Sequence, residues 1–123
     1  MPRIVRTDLN FEREPLAAPW GFKGGYLTEL WQTVALLQLD SGISEIGLGV
    51  QSVLWSDPRV FVNNSESAGN ALMLSLTQKA LSVAKGMDFK DPLGLQDSLF
   101  PTVVTHQMVD RSCLTYKRSI RII

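Results

Sequence analysis

Asp40-Ser41-Gly42-Ile43-Ser44-Glu45-Ile46-Gly47-Leu48-Gly49 decides how this chain folds. It follows directly on the apolar run of residues 27–39. That run predicts a long strand, Asp40-Ser41-Gly42 a tight turn, and residues 43–50 the returning strand. The long strand is apolar on both alternating sets. Leu30, Val34 and Leu36 form one; Trp31, Ala35, Leu37 and Leu39 form the other. Such a strand is expected in the middle of a sheet with cover on both faces.

Upstream, residues 4–11 predict a first strand: Ile4, Arg6 and Asp8 alternate against Val5, Thr7 and Leu9, with Phe11 continuing the second, apolar set. The pattern then fades, and Pro15 and Pro19 are expected to interrupt any ladder. Trp20-Gly21-Phe22-Lys23-Gly24-Gly25-Tyr26 holds three glycines among aromatic residues and reads as a loop. Its glycine spacing could suggest a phosphate loop, but it precedes a strand rather than a helix, so no helix N-terminus is offered to an anion. A second loop is expected at Gln51-Ser52-Val53-Leu54-Trp55-Ser56-Asp57-Pro58.

Downstream the period changes to helical. Asn64, Ser65 or Ser67 is placed to cap a helix whose stripe is Ala68, Leu72, Leu76, Ala80 and Val83, widened by Ala71, Leu74 and Leu81, with Gly86 placed to end it. Asp91-Pro92 restarts a helix, Asp as cap and Pro in the first turn. It is expected to break or kink at Pro101. The order strand, strand, strand, helix, helix gives an α+β class: a three-stranded antiparallel meander followed by a small helical bundle.

The chain has 123 residues, which sets one domain as the prior. No segment reaches the roughly 18 uninterrupted apolar residues of a membrane span, and Met1-Pro2-Arg3-Ile4 opens no secretory leader. A single cysteine, Cys113, excludes an internal disulfide and suits a reducing compartment. A cytoplasmic protein is expected. The net charge is zero, yet Arg111, Lys117, Arg118 and Arg121 all fall in the last thirteen residues, which hold no acid. Four bases and one aromatic, Tyr116, make a poor nucleic-acid or membrane surface, and neither partner is expected. His106 and Asp110 are four apart, but no convincing nucleophile accompanies them.

The Thr28-Glu29 pair, the long apolar strand and the Asp40-x-Gly42-x-x-x-x-Gly47-x-Gly49 hairpin resemble the N-terminal capping domain of the enolase superfamily, in its mandelate racemase and muconate-lactonizing branch. Gly21-Phe22-Lys23-Gly24-Gly25-Tyr26-Leu27 resembles one subgroup of that branch. Many members place a glutamate after the last glycine; this chain has Val50 there. The resemblance implies a domain over residues 1–109, followed by a basic tail over 110–123 that looks aberrant, as a frameshift would leave it.

The resemblance further implies that two loops cover the mouth of a (β/α)8 barrel, supplied in cis or in trans. Those loops correspond to Trp20, Phe22, Lys23, Gly24, Gly25 and Tyr26, and to Gln51, Ser52, Val53, Leu54 and Trp55. A gating loop needs glycine hinges and apolar side chains that exclude water. Trp20, Phe22, Tyr26, Leu54 and Trp55 are expected to supply that surface; Lys23 either meets a substrate carboxylate or is a solvated loop lysine. The family's Mg²⁺ ligands and bases lie in the barrel, which alone takes about 200 residues or more. No catalytic residue and no metal ligand is therefore assigned here. Three readings stand: the capping fragment of an enzyme acting on a small carboxylate by racemisation, epimerisation or dehydration; a stand-alone binding module, which could oligomerise; and a remnant that exposes a large apolar face.

Overall fold

A computed structural model describes residues 1–22, 25–55 and 63–105. The meander is present: β1 (Ile4–Phe22), β2 (Gly25–Leu39) and β3 (Ser44–Gln51) form one antiparallel sheet in the order β1-β2-β3. The turn between β2 and β3 depends on Gly42, whose φ of +88° is left-handed backbone that a Cβ disfavours. Its N–H donates to Leu39 O at 2.9 Å, and Leu39 N–H donates to Ile43 O at 2.8 Å. The returning strand starts at Ser44, one residue later than the alternation suggests.

The first strand does not stop near Phe11. It continues through both prolines and pairs with β2 out to Phe22↔Gly25. Between Pro15↔Glu29 and Trp20↔Leu27 the register shifts, so residues 16–19 face Thr28 alone. The prolines thus make a bulge on an edge strand, where a missing ladder N–H is tolerated.

Two helices cover one face of the sheet. Helix α1 (Glu66–Ala84) starts at Ser65, whose side chain accepts from Ala68 N at 3.1 Å, and it ends before Gly86 at φ +90°. Helix α2 (Pro92–Thr105) is capped by Asp91, which accepts from Gly94 N at 2.8 Å. It continues through Pro101 to Thr105.

The apolar stripe expected on α1 holds toward the C-terminal end, where Val83 packs against the core, and is rotated in the first half of the helix. Leu76 is buried, but Leu72 is 47% exposed and Ala68 is on the surface. The buried positions are Gly69, Asn70, Met73, Leu76 and Ala84. The polar contacts of Glu66 and Asn70 described below accompany this rotation, and apolar spacing alone could not register them.

Cover on both faces of β2 is also corrected. Leu27, Trp31 and Thr33 are buried on the helix side. On the other side Val34 is opposite Leu48 and Leu36 is opposite Ile46, and no described element covers them. Leu48 is 77% and Ile46 65% exposed.

The core at the opposite end of the sheet gathers Ile4, Ala84 and Leu99, with Leu37, Leu39, Met87 and Phe89 packed against it. There the N-terminal residues are stitched on two sides. Asp40 N–H donates to Arg3 O at 2.9 Å, Gly86 N–H to Ile4 O at 2.7 Å, and Ile4 N–H to Met87 O at 3.0 Å. Arg3 adds a bidentate pair to Asp88 at 2.9 and 3.0 Å. Residues 106–123 lie outside the described residues, and with them the boundary at 109, the basic tail, His106, Asp110 and Cys113.

Candidate functional site

The first candidate loop is mostly strand. Trp20, Gly21 and Phe22 belong to β1 and pair with Leu27, Tyr26 and Gly25 of β2. Five of the seven residues read as a loop are therefore strand; Lys23 and Gly24 lie outside the described residues. Tyr26 lies across from Gly21, where a Cβ would come within 3.6 Å of its ring. The ring covers the side-chain-free position and remains 70% exposed; Trp20 is 49% exposed. This hairpin end presents aromatic surface, as expected.

The second candidate loop begins differently. Gln51 closes β3, Ser52 follows, and Val53–Trp55 makes a single 3-10 turn. Gln51, Ser52, Val53 and Leu54 are all buried. Leu54 therefore offers none of the exposed apolar surface expected of it; it is core. Residues 56–62 and the side chain of Trp55 lie outside the described residues.

Helix α1 holds both stems. At the first, the Glu66 carboxylate accepts from Thr28 N at 2.9 Å, from Glu29 N at 3.1 Å, and from the Thr28 hydroxyl. These amides lie opposite the proline bulge, where the ladder is interrupted, so a side-chain carboxylate satisfies donors that a strand would otherwise take. Arg13 makes a forked pair to Glu29, with Nη2 to Oε1 at 2.7 Å and Nε to Oε1 at 3.1 Å, and also donates to Ser67 Oγ at 3.2 Å. Trp31 Nε1 donates to Glu29 at 3.0 Å. Phe11 stacks on Trp31 with centroids 5.0 Å apart, and the Arg13 guanidinium lies 5.3 Å from the Trp31 ring centre. The Arg13 hydrogen bond, then that from Trp31, holds the Glu29 carboxyl below the usual carboxylate range; burial opposes them.

At the second stem Asn70, fully buried, accepts from Val53 N at 2.7 Å. Gln51 Nε2 donates to Thr77 Oγ1. Gly69 lies so close to Val53 that a Cβ there would sit 2.3 Å from Val53 Cγ2. Asn70 Nδ2 and Gln51 Oε1 are buried without a hydrogen-bond partner among the described residues.

Sequence reasoning missed Glu66, Gly69, Asn70 and Thr77. One signal was present: a glycine inside a helical pattern costs about 1 kcal/mol relative to alanine and so points to close packing.

Among the described residues no group of three or more His, Cys, Asp or Glu could hold a metal ion. Glu29 and Glu66, the carboxylates at the stems, are taken up by Arg13, Trp31 and backbone amides. The described residues therefore do not fit a Mg²⁺ site, and no chemical step through the ion is assigned to them. Nor is any helix among them long and apolar enough to cross a membrane.

No family model matches the chain, and no curated protein matches it. Solved structures do. L-talarate dehydratase from Polaromonas sp. JS666, in complex with Mg and L-glucarate, is similar over 86% of this chain at 18% identity and a TM-score of 0.59. The likeness is one of fold: the antiparallel meander followed by helices is shared with a domain-sized part of that enzyme. The L-Ala-D/L-Glu epimerase from Bacillus subtilis aligns over 98% of the chain at 12% identity and a TM-score of 0.48. The chain spans 26% of the dehydratase and 29% of the epimerase.

Proposed function

We propose that the chain is the substrate-capping part of a Mg²⁺-dependent enzyme of the mandelate racemase and muconate-lactonizing type, with the hairpin end at residues 20–26 and the segment from Gln51 onward lying over the mouth of a barrel. The reaction class is removal of the proton α to a carboxylate, leading to racemisation, epimerisation or dehydration. Mg²⁺ would stabilise the resulting charge as a Lewis acid. The chain does not turn over substrate alone; the barrel carries the base and the metal ligands, in cis or in trans, in the cytoplasm.

One observation carries this reading. Two segments far apart in sequence are anchored on the same end of one helix, and one of them presents Trp20 and Tyr26 outward. That arrangement suits a cap that shuts water out from two sides. Lys23 is placed by sequence between the two strands of the hairpin end and would meet the substrate carboxylate.

The test is to sequence the coding DNA through codon 105 and several hundred bases beyond, and to translate all three forward frames. A barrel with a lysine base and successive metal-binding acids is the expected result. Absence of a barrel in every frame, together with no rise in α-proton exchange when an enolase-type barrel is supplied in trans with Mg²⁺, would overturn it. The stand-alone binding module would then be the better reading.

A further inference from the structure

We infer that the first turn of α1 couples the two stems, so that they loosen and tighten together. Glu66 and Asn70 are four residues apart and stand one above the other on the same helix face. Glu66 holds the first stem through Thr28 N and Glu29 N. Asn70 holds the second through Val53 N, at 2.7 Å. Between them Gly69 admits Val53 against bare helix backbone. The turn that joins these anchors is itself closed by Ser65, which accepts from Ala68 N at 3.1 Å through its hydroxyl and from Gly69 N at 2.9 Å through its carbonyl.

The consequence is mechanical. A hydrogen-bonded helical turn is stiff, so moving Glu66 relative to Asn70 breaks the bonds that Ser65 makes. Releasing either stem removes one of the restraints on the turn and lowers the cost of releasing the other, which is coupling through a shared local opening. Ser65, Glu66 and Asn70 act here as positioning residues.

The inference deepens the capping reading and takes its purpose from it: a cap closing from two sides gains if its sides close as one. Its test needs no substrate and no barrel, so the two ideas fail separately.

Amide hydrogen exchange, followed by NMR on the full 123-residue chain, reads the coupling directly. Ser65→Ala removes the cap hydroxyl, whose hydrogen bond stays within the helix. It is expected to speed exchange about fivefold at Thr28, Glu29 and Val53 together. The amides of Ile4 and Gly86, at the far end of the sheet, should keep their wild-type rates. Glu66→Gln should speed Val53, and Asn70→Ala should speed Thr28 and Glu29. Acceleration of one stem only, of neither, or of all amides by a common factor would overturn the inference. The last pattern is what a residue serving only global stability would give. Should Asn70→Ala fail to fold, Ser65→Ala decides alone.

Discussion

The hairpin end and the exit from β3 were both read as loops, and α1 holds them by opposite means. At the hairpin end the contacts are charged and near the surface: Arg13 to Glu29, and Glu66 to two strand amides. Trp20 and Tyr26 remain exposed there, while Trp31 is buried beneath the ion pair. At the β3 exit four consecutive residues are buried, held by an amide side chain and by a glycine that lets a valine in. A polar anchor of the first kind is sensitive to pH and salt; a packed anchor of the second kind is sensitive to volume. Two segments with similar wording, small residues mixed with aromatics, therefore differ in what would dislodge them.

Volume should be the stronger lever. Gly69→Ala places a methyl inside the Val53 side chain and is expected to cost about 3 kcal/mol, read by urea denaturation. Val53→Ala introduced beside it should return part of that loss; if the double variant is no better than the single, the contact does not govern the exit.

Asn70→Ala comes next. It removes the Asn70 acceptor from the buried Val53 N–H and is expected to cost about 2 kcal/mol. Glu66→Gln, which keeps one acceptor oxygen but loses the charge, should cost about 1 kcal/mol, and more at low salt than at high. An equal salt dependence for both variants would erase the contrast between the stems.

Acid should separate them further. The Glu29 carboxyl is held below its ordinary pKa in the folded state, chiefly by the Arg13 hydrogen bond. Its contribution is therefore present above the unfolded carboxylate pKa, about 4.3, and is lost as pH falls through the lower folded value. A pH titration of stability should show this loss in the wild type and not in Glu29→Gln, with Asn70→Ala retaining it. Tyr26→Ala, on an exposed ring, should change stability by only about 0.5 kcal/mol.

Much of the fold was legible because its signals are local. The turn at Gly42, the caps Ser65 and Asp91, and the stop at Gly86 each rest on one or two residues with a definite backbone demand. What escaped depends on partners distant in sequence. Pro15 and Pro19 read as a strand end, yet an edge strand tolerates them as a bulge when a partner continues beside it. The stripe through Ala68 and Leu72 was misplaced because Glu66 and Asn70 anchor the helix through polar contacts that hydrophobic spacing does not register. Leu54 read as loop surface because nothing local says that the segment leaving β3 is buried. At the candidate site the exposed aromatics Trp20 and Tyr26 were found from sequence, whereas the anchors Glu66, Gly69 and Asn70 were not.

The stitching of the N-terminal residues has a consequence for the order of events at the ribosome. Arg3 and Asp88, which pair in the finished molecule, are separated by 85 positions. At roughly 5–20 residues per second, about 4 to 17 seconds pass between the synthesis of one and the other. Throughout that interval Ile4 has neither the carbonyl of Met87 to donate to nor the amide of Gly86 to accept from. The earliest-made strand is thus secured late at its beginning, and until residue 89 has emerged the backbone at Pro2, Arg3 and Ile4 is open to other pairing on that side.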